Sequence, residues 1–300
     1  MDGLINVLKP PGMTSFDVVA YLRKILREKK IGHAGTLDPA AAGVLLVCTG
    51  KATRVVEYIT RMKKTYRAEL TLGISTDTQD SSGNIIARKE VNLSREKIVE
   101  AVESFTGEIY QAPPMYSAVK VGGKRLYELA RKGEIIERRP RKIVIHSISI
   151  VNIEDARVLF DVTCSKGTYV RTLCSDIGDK LGCGAHMSFL VRKRIGVFGI
   201  ESAFTLEDIL KTSEAGQLTR ILLNIDTAFS DFKSYHLNCP DDWRFKNGGF
   251  IPVNAGSVKD RDFYEGMEVR VYDRANEFIG IGEIVKKQGR FYLKPGKILA

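Results

Sequence analysis

The residue of this chain best placed to do chemistry is an aspartate inside a loop bracketed by glycines. In Gly32-His33-Ala34-Gly35-Thr36-Leu37-Asp38-Pro39-Ala40-Ala41-Ala42-Gly43 small residues surround Asp38, and the proline after it forces an extended or turn conformation. Such a loop can hold a carboxylate rigidly while bringing backbone close to a ligand. The same residues also describe a plain Asp-Pro turn, and His33 by itself reads as a capping or surface histidine. A second stretch, Cys164-Ser165-Lys166-Gly167-Thr168-Tyr169-Val170-Arg171, leaves a strand pattern and enters a helical one. Arg171 there is either a solvated helix residue or a guanidinium able to hold a buried carboxylate bidentately and keep it ionised.

Other chemistries fail on spacing. His33 and Asp38 lack the H-E-x-x-H geometry, and Cys183-Gly184-Ala185-His186 has no second ligand pair, so no metal is expected. Gly50-Lys51-Ala52-Thr53 imitates the end of a phosphate loop, but Ala52 follows the lysine and no glycine stands five residues before Gly50. ATP is not implied. A glycosidase would want a second catalytic carboxylate, and no spacing supports Asp77 or Asp80 in that role.

The elements that must position these residues belong to an ordinary globular composition, 44% hydrophobic and 27% charged over 300 residues. Forty-six basic residues stand against 36 acidic ones, a net charge of +10, so the surface should attract polyanions, nucleic acid first among them. Five cysteines without a C-x-x-C pair read as reduced thiols of a cytoplasmic protein. The start lacks a basic, then apolar, secretory leader, and no run approaches the roughly 18 apolar residues of a membrane span.

Strand patterns at residues 4–8, 43–48, 66–72 and 158–164 interleave with helical ones. Phe16, Val19, Leu22 and Leu26 recur at helical spacing, with Thr14 or Ser15 as the N-cap. The expectation is an α+β fold, a mixed and mostly antiparallel sheet flanked by helices. Residues 1–230 form the catalytic domain in this reading, interrupted by a basic insertion at about 111–145 with nine basic and three acidic residues. Residues 231–300, rich in short strand patterns and glycine, form a small all-β domain after a linker near 226–231.

In combination these motifs resemble a known family, the bacterial tRNA pseudouridine synthases that modify uridine 55 in the T loop. Lys9-Pro10-Pro11-Gly12-Met13-Thr14-Ser15 resembles the family's opening motif, and residues 32–43 its aspartate loop. Lys64-Thr65-Tyr66 resembles the tyrosine motif, and Gly73 to Asp80 the polar loop beyond it. Residues 113–120 and 123–131 are similar to the insertion that closes on tRNA; residues 165–171 and 181–186, leading to Leu190, complete the set. Thr65, where many members carry a large residue, and the small Thr36 and Ala40 depart from the pattern without removing a reacting group. The tail resembles an RNA-binding PUA domain through residues 248–253 and 278–284.

The resemblance implies exchange of a C1′–N1 for a C1′–C5 bond without redox or hydrolysis, and so without metal, nucleotide or other cofactor. Asp38 would act at C1′ or on the ribose 2′ proton, with Arg171 paired to it and lowering its pKa. Tyr66 would stack on the flipped uracil, and Tyr169 would stand beside it as a proton carrier. His33 would fill space near the vacated base, Leu190 would wall the pocket, and Asp80 would join the substrate-binding set. Lys9, Lys64, Lys120, Lys124, Arg125, Arg141 and Lys142 would contact phosphate. The implied partner is the tRNA T stem-loop, gripped by a monomer that needs no protein partner. Two rivals stand beside this reading: a guide-RNA-dependent synthase, against which the long insertion speaks, and a non-catalytic RNA-binding or RNA-folding protein, against which Asp38, Tyr66 and Arg171 together speak.

Overall fold

The computed structural model describes residues 1–253 and 263–299; the Arg125 side chain lies outside the described set. From edge to edge the main sheet runs Gly3–Lys9, Ala42–Thr49, Ala185–Ile195, Lys64–Leu72, Arg157–Cys164, Arg141–Glu154 and Gly107–Gln111. Two short strands, Ile31–His33 and Phe198–Gly199, bring it to nine. One pairing in it is parallel, where Val191 and Arg192 meet Ala42 and Gly43, and the others are antiparallel. The fold is therefore α+β with a mixed, mostly antiparallel sheet.

Alternation decides which face is buried. In Lys64–Leu72 the side chains of Ala68, Leu70 and Leu72 pack with Val158, Phe160, Val162 and Cys164 of the next strand. Ile98 and Val102 of the helix Arg95–Glu103 and Leu173, Cys174 and Ile177 of the helix Val170–Lys180 cover them. The helix Ser15–Ile25 starts at Thr14, whose hydroxyl accepts from the Asp17 amide while Asp17 accepts from Thr14, a reciprocal capping box. Its buried face carries Val18, Val19 and Leu22. Phe16, expected on that face, is exposed under the Arg23 guanidinium instead, because the core side of this helix is centred on residues 18, 19 and 22.

The tail forms a second, five-stranded sheet in the order Lys233–His236, Glu268–Tyr272, Phe278–Lys287, Arg290–Ile298, Ile251–Pro252, with one short helix, Asp241–Lys246. The stretch expected as a linker is instead a tight turn, Ile225–Phe229, and Phe229 is buried against Tyr58, Phe232 and Phe278. A solvated linker would leave these rings in water. Ile281 and Leu299 of the tail share one apolar cluster with Val44, Leu46 and Phe229. The basic insertion is rooted on neighbouring strands, where Arg141 pairs with Gln111, so its last residues already belong to the main sheet. Among the described residues no helix is long and apolar enough to cross a membrane.

Candidate active site

The Asp38 loop is fastened on both sides of the aspartate. Leu37 is buried in the core, and its amide donates to the Ser15 hydroxyl at 2.9 Å. The Pro39 carbonyl accepts from the Gly12 amide at 2.9 Å and from Lys9 Nζ at 3.2 Å. Lys9 also donates to the carbonyls of Pro10 at 2.8 Å and Met13 at 2.6 Å. Its side chain is fully buried, and burial pushes the ammonium pKa down to about 8. Lys9 is therefore not a phosphate contact: three carbonyls consume its donors and tie the opening Lys-Pro-Pro-Gly motif to the aspartate loop.

Asp38 keeps 34% of its side chain open, and burial of the remainder raises its carboxyl pKa above the ordinary value. The Arg171 guanidinium opposes that rise and the neighbouring Asp80 adds to it. The expected bidentate pair does not form. One terminal nitrogen of Arg171 donates to Asp38 Oδ1 at 3.2 Å and to the Tyr116 carbonyl at 2.9 Å, while the other donates to Asp80 Oδ2 at 3.3 Å. Two carboxylates and one insertion carbonyl share the fork, and burial outweighs the Arg171 charge, so the net direction at Asp38 is upward, opposite to the expected depression. Asp80 Oδ1 is occupied by Thr78 Oγ1 at 2.7 Å and by the Ser82 amide at 3.0 Å. Asp80 thus organises its own turn and anchors Arg171.

Arg171 lies in the first turn of the helix Val170–Lys180, with Tyr169 as N-cap residue. Gln111 fixes that start twice, donating to the Tyr169 carbonyl at 3.1 Å and accepting from the Tyr169 amide at 2.8 Å. The Tyr169 ring lies under the Arg171 guanidinium, 5.9 Å from centroid to carbon. Tyr66 stands on the central strand between Val162 and Arg192. Burial raises its phenol pKa, and the Arg192 charge opposes this. Leu190 is buried on the same strand as Arg192, opposite Ala68. His33 ends the short strand before the loop; burial, with Arg192 adding to it, lowers its pKa, and its Nδ1 is buried without a described partner.

Lys64, like Lys9, departs from the phosphate-contact expectation. Its Nζ donates to Thr60 O at 2.5 Å and Met62 O at 2.7 Å, and burial brings its pKa down to about 8. Lys120, Lys124 and Arg141 are exposed. Lys142 is exposed too but pairs with Glu108 at 2.8 Å. Sequence reasoning missed two residues that position the site, Gln111 and Arg192. Arg192 is detectable in principle, as a charged residue two positions from Leu190 on the inward face of a strand. Gln111 carries no such signal.

A carboxylate on a pinned loop, an aromatic ring on the central strand and an arginine at a helix start define a class that comparison with known proteins makes specific. Residues 23–170 match the TruB family pseudouridylate synthase N-terminal domain. Residues 171–230 match the tRNA pseudouridylate synthase B C-terminal domain, and residues 244–292 the C-terminal domain of pseudouridine synthase II TruB. The chain is 56% identical to the tRNA pseudouridine synthase B of Alkaliphilus oremlandii over 94% of this chain and 93% of that protein. It is 45% identical to the protein of the same name from Clostridioides difficile, over 99% of both. In structure it is similar to the chain in the crystal structure of a Cbf5-Nop10-Gar1 complex, with a TM-score of 0.78 and 29% identity over 99% of this chain and 85% of that one. The chain is thus a pseudouridine synthase, an isomerase. It belongs to the TruB family.

Proposed function

We propose that this enzyme isomerises uridine 55 in the tRNA T loop to pseudouridine, working alone, without cofactor and with Asp38 as its reacting carboxylate. That the RNA is tRNA is supported by the name carried by relatives 45–56% identical to this chain. The observation that carries the mechanism is the placement of Asp38: a loop pinned on both sides presents it, with one oxygen on Arg171 and a third of its surface open.

In this reading the T-loop uridine flips out and its ring stacks on Tyr66, a contact worth roughly 1–3 kcal/mol that offsets the unstacking. Asp38 acts in its ionised form, either by attacking C1′ or by taking the 2′ proton. The C1′–N1 bond breaks, the uracil turns, C1′–C5 forms, and the C5 proton is lost as N1 gains one. Atoms and electrons balance with no co-reactant. Tyr169 is the candidate proton carrier, His33 fills space near the vacated base, and Leu190 keeps water from the cleaved sugar. Lys120, Lys124, Arg125, Arg141 and Lys142 of the insertion supply the phosphate contacts.

The test is a T stem-loop RNA incubated with the purified chain alone and assayed for pseudouridine. Conversion at position 55, abolished by U55C, supports the reading. Conversion elsewhere, or only with a guide RNA or partner protein added, overturns it.

A further inference from the structure

Arg192 is among the largest side chains of the chain to be fully buried, at 1% exposure. Its hydrogen bonds run to backbone: Nε donates to Val44 O at 2.7 Å, and the terminal nitrogens donate to Gly35 O at 3.0 Å and Thr36 O at 3.3 Å. Among the described residues no carboxylate forms an ion pair with it. Neutral carbonyls satisfy the donors of a buried guanidinium but leave its charge uncompensated, which is costly where an uncharged residue could pack.

The strand geometry is arranged around this residue. Gly43 sits at φ +112°, and a Cβ there would lie 2.3 Å from the Arg192 carbonyl oxygen, so the close parallel approach of residues 42–43 to 191–192 requires glycine. Arg192 therefore holds the aspartate loop on both sides, at Gly35 and Thr36 before Asp38 and at Gly43 and Val44 after it. On its other flank it stands opposite Tyr66 in the sheet.

We propose that Arg192 is a positioning residue for the isomerisation: it clamps both ends of the Asp38 loop from the strand paired with Tyr66, so that carboxylate and ring keep their separation while the base turns between them. The inference rests on the pseudouridylation reading and deepens it. Because reacting groups must be held to a fraction of an ångström, loss of such a clamp reduces the rate of chemistry and leaves RNA binding intact. The charge has a second consequence. The groups facing Asp38 are Arg171 from its helix, Asp80 from the polar loop, Lys9 from the first strand and Arg192 from the neighbouring strand, and of these Arg171, Lys9 and Arg192 favour the ionised carboxylate.

The experiment uses the full chain with Arg192→Lys and Arg192→Met. Thermal melting confirms folding, T stem-loop affinity is measured, and single-turnover rates are followed across pH. The expected result is affinity within about threefold of wild type, a rate lower by about 30-fold or more in Arg192→Met, and partial recovery in Arg192→Lys. The acidic limb should move to higher pH in Arg192→Met and stay in place in Arg192→Lys. A wild-type rate in Arg192→Met overturns the proposal, as does a loss that tracks only the unfolded fraction with an unmoved limb. If Arg192→Met does not fold, Arg192→Lys decides: a rate loss of fivefold or more at unchanged affinity supports the clamp, and a wild-type rate overturns it. Failure of both to fold makes Arg192 a scaffold residue and also overturns it. If wild type itself makes no pseudouridine, the functional reading fails, and that result is separate from any of these.

Discussion

Arg171 reaches Asp38 through a single terminal nitrogen, at 3.2 Å from Oδ1, and turns its other terminal nitrogen to Asp80 Oδ2 at 3.3 Å. The aim of Asp38 is therefore set by its pinned loop, and the arginine acts as a shared counter-ion. Asp80 should matter for rate although it need not touch the base. In Asp80→Asn the guanidinium loses one ionic partner, while a like charge near Asp38 disappears. The single-turnover rate should fall about tenfold or more. The acidic limb should move to lower pH, since Asp80 raises the Asp38 pKa. An unchanged rate, or a limb moved upward, would contradict this account of the network.

Arg171 variants should shift the same limb the other way. Burial raises the folded pKa of Asp38 above its unfolded value of 3.8, and Arg171 moderates the rise. Arg171→Ala removes the moderation, so the ionised fraction, and activity with it, should be lost at higher pH than in wild type. Arg171→Lys keeps the charge without the planar fork and should be intermediate. Linkage gives the sign for stability. A carboxyl whose folded pKa is raised contributes fully below the unfolded value, and that contribution is lost as pH rises through the folded one. Arg171→Ala should thus be more destabilised near neutral pH than at pH 4. Identical acidic limbs in all three proteins would show that Arg171 does not govern Asp38.

Lys9 separates a structural lysine from a phosphate contact. Its Nζ holds the carbonyls of Pro10, Met13 and Pro39 in a fully buried position. Lys9→Met should cost about 2–3 kcal/mol in denaturant unfolding, because three buried carbonyls lose their donor. The salt dependence of RNA binding should not change, whereas loss of a phosphate contact lowers the slope by about one. A lowered slope with unchanged stability would return Lys9 to the RNA interface.

Tyr66 carries a ring and a hydroxyl that substitution can separate. Tyr66→Phe keeps stacking but loses any chemistry of the hydroxyl, so its defect should lie in rate alone. Tyr66→Ala should also weaken capture of the flipped base, by about 1–3 kcal/mol. Stopped-flow fluorescence with 2-aminopurine beside the target uridine reports flipping, and equal flipping in both variants would remove Tyr66 from the stack.

Much of this site was legible in the sequence, and the hidden part has a physical pattern. Asp38, Tyr66 and Arg171 stood out because loop chemistry and motif order are written locally, and the sheet was legible because its strands either alternate, as in Lys64–Leu72 and Arg157–Cys164, or run almost continuously apolar, as in Gly3–Lys9 and Ala42–Thr49. Burial of charge was not legible. Lys9 and Lys64 spell surface lysines, and only tertiary contacts place them under carbonyls. Arg192 is hidden in the basic run Arg192-Lys193-Arg194, although Lys193 faces outward to Asp161 while Arg192 points into the core. Sharing of Arg171 between Asp38 and Asp80 joins residues 42 apart in sequence, which no local pattern encodes. The turn at Ile225–Phe229 read as a linker although three of its five residues are apolar: Ala228 and Phe229 are buried and Ile225 packs against the same cluster.

The most direct measurement is the single-turnover conversion of a T stem-loop RNA by Asp38→Asn, with RNA affinity measured in parallel. One carboxylate contributes little to a polyanion interface, so affinity should stay within about tenfold of wild type. Pseudouridine formation should be abolished. Turnover within tenfold of wild type would contradict the assignment of Asp38 as the reacting group.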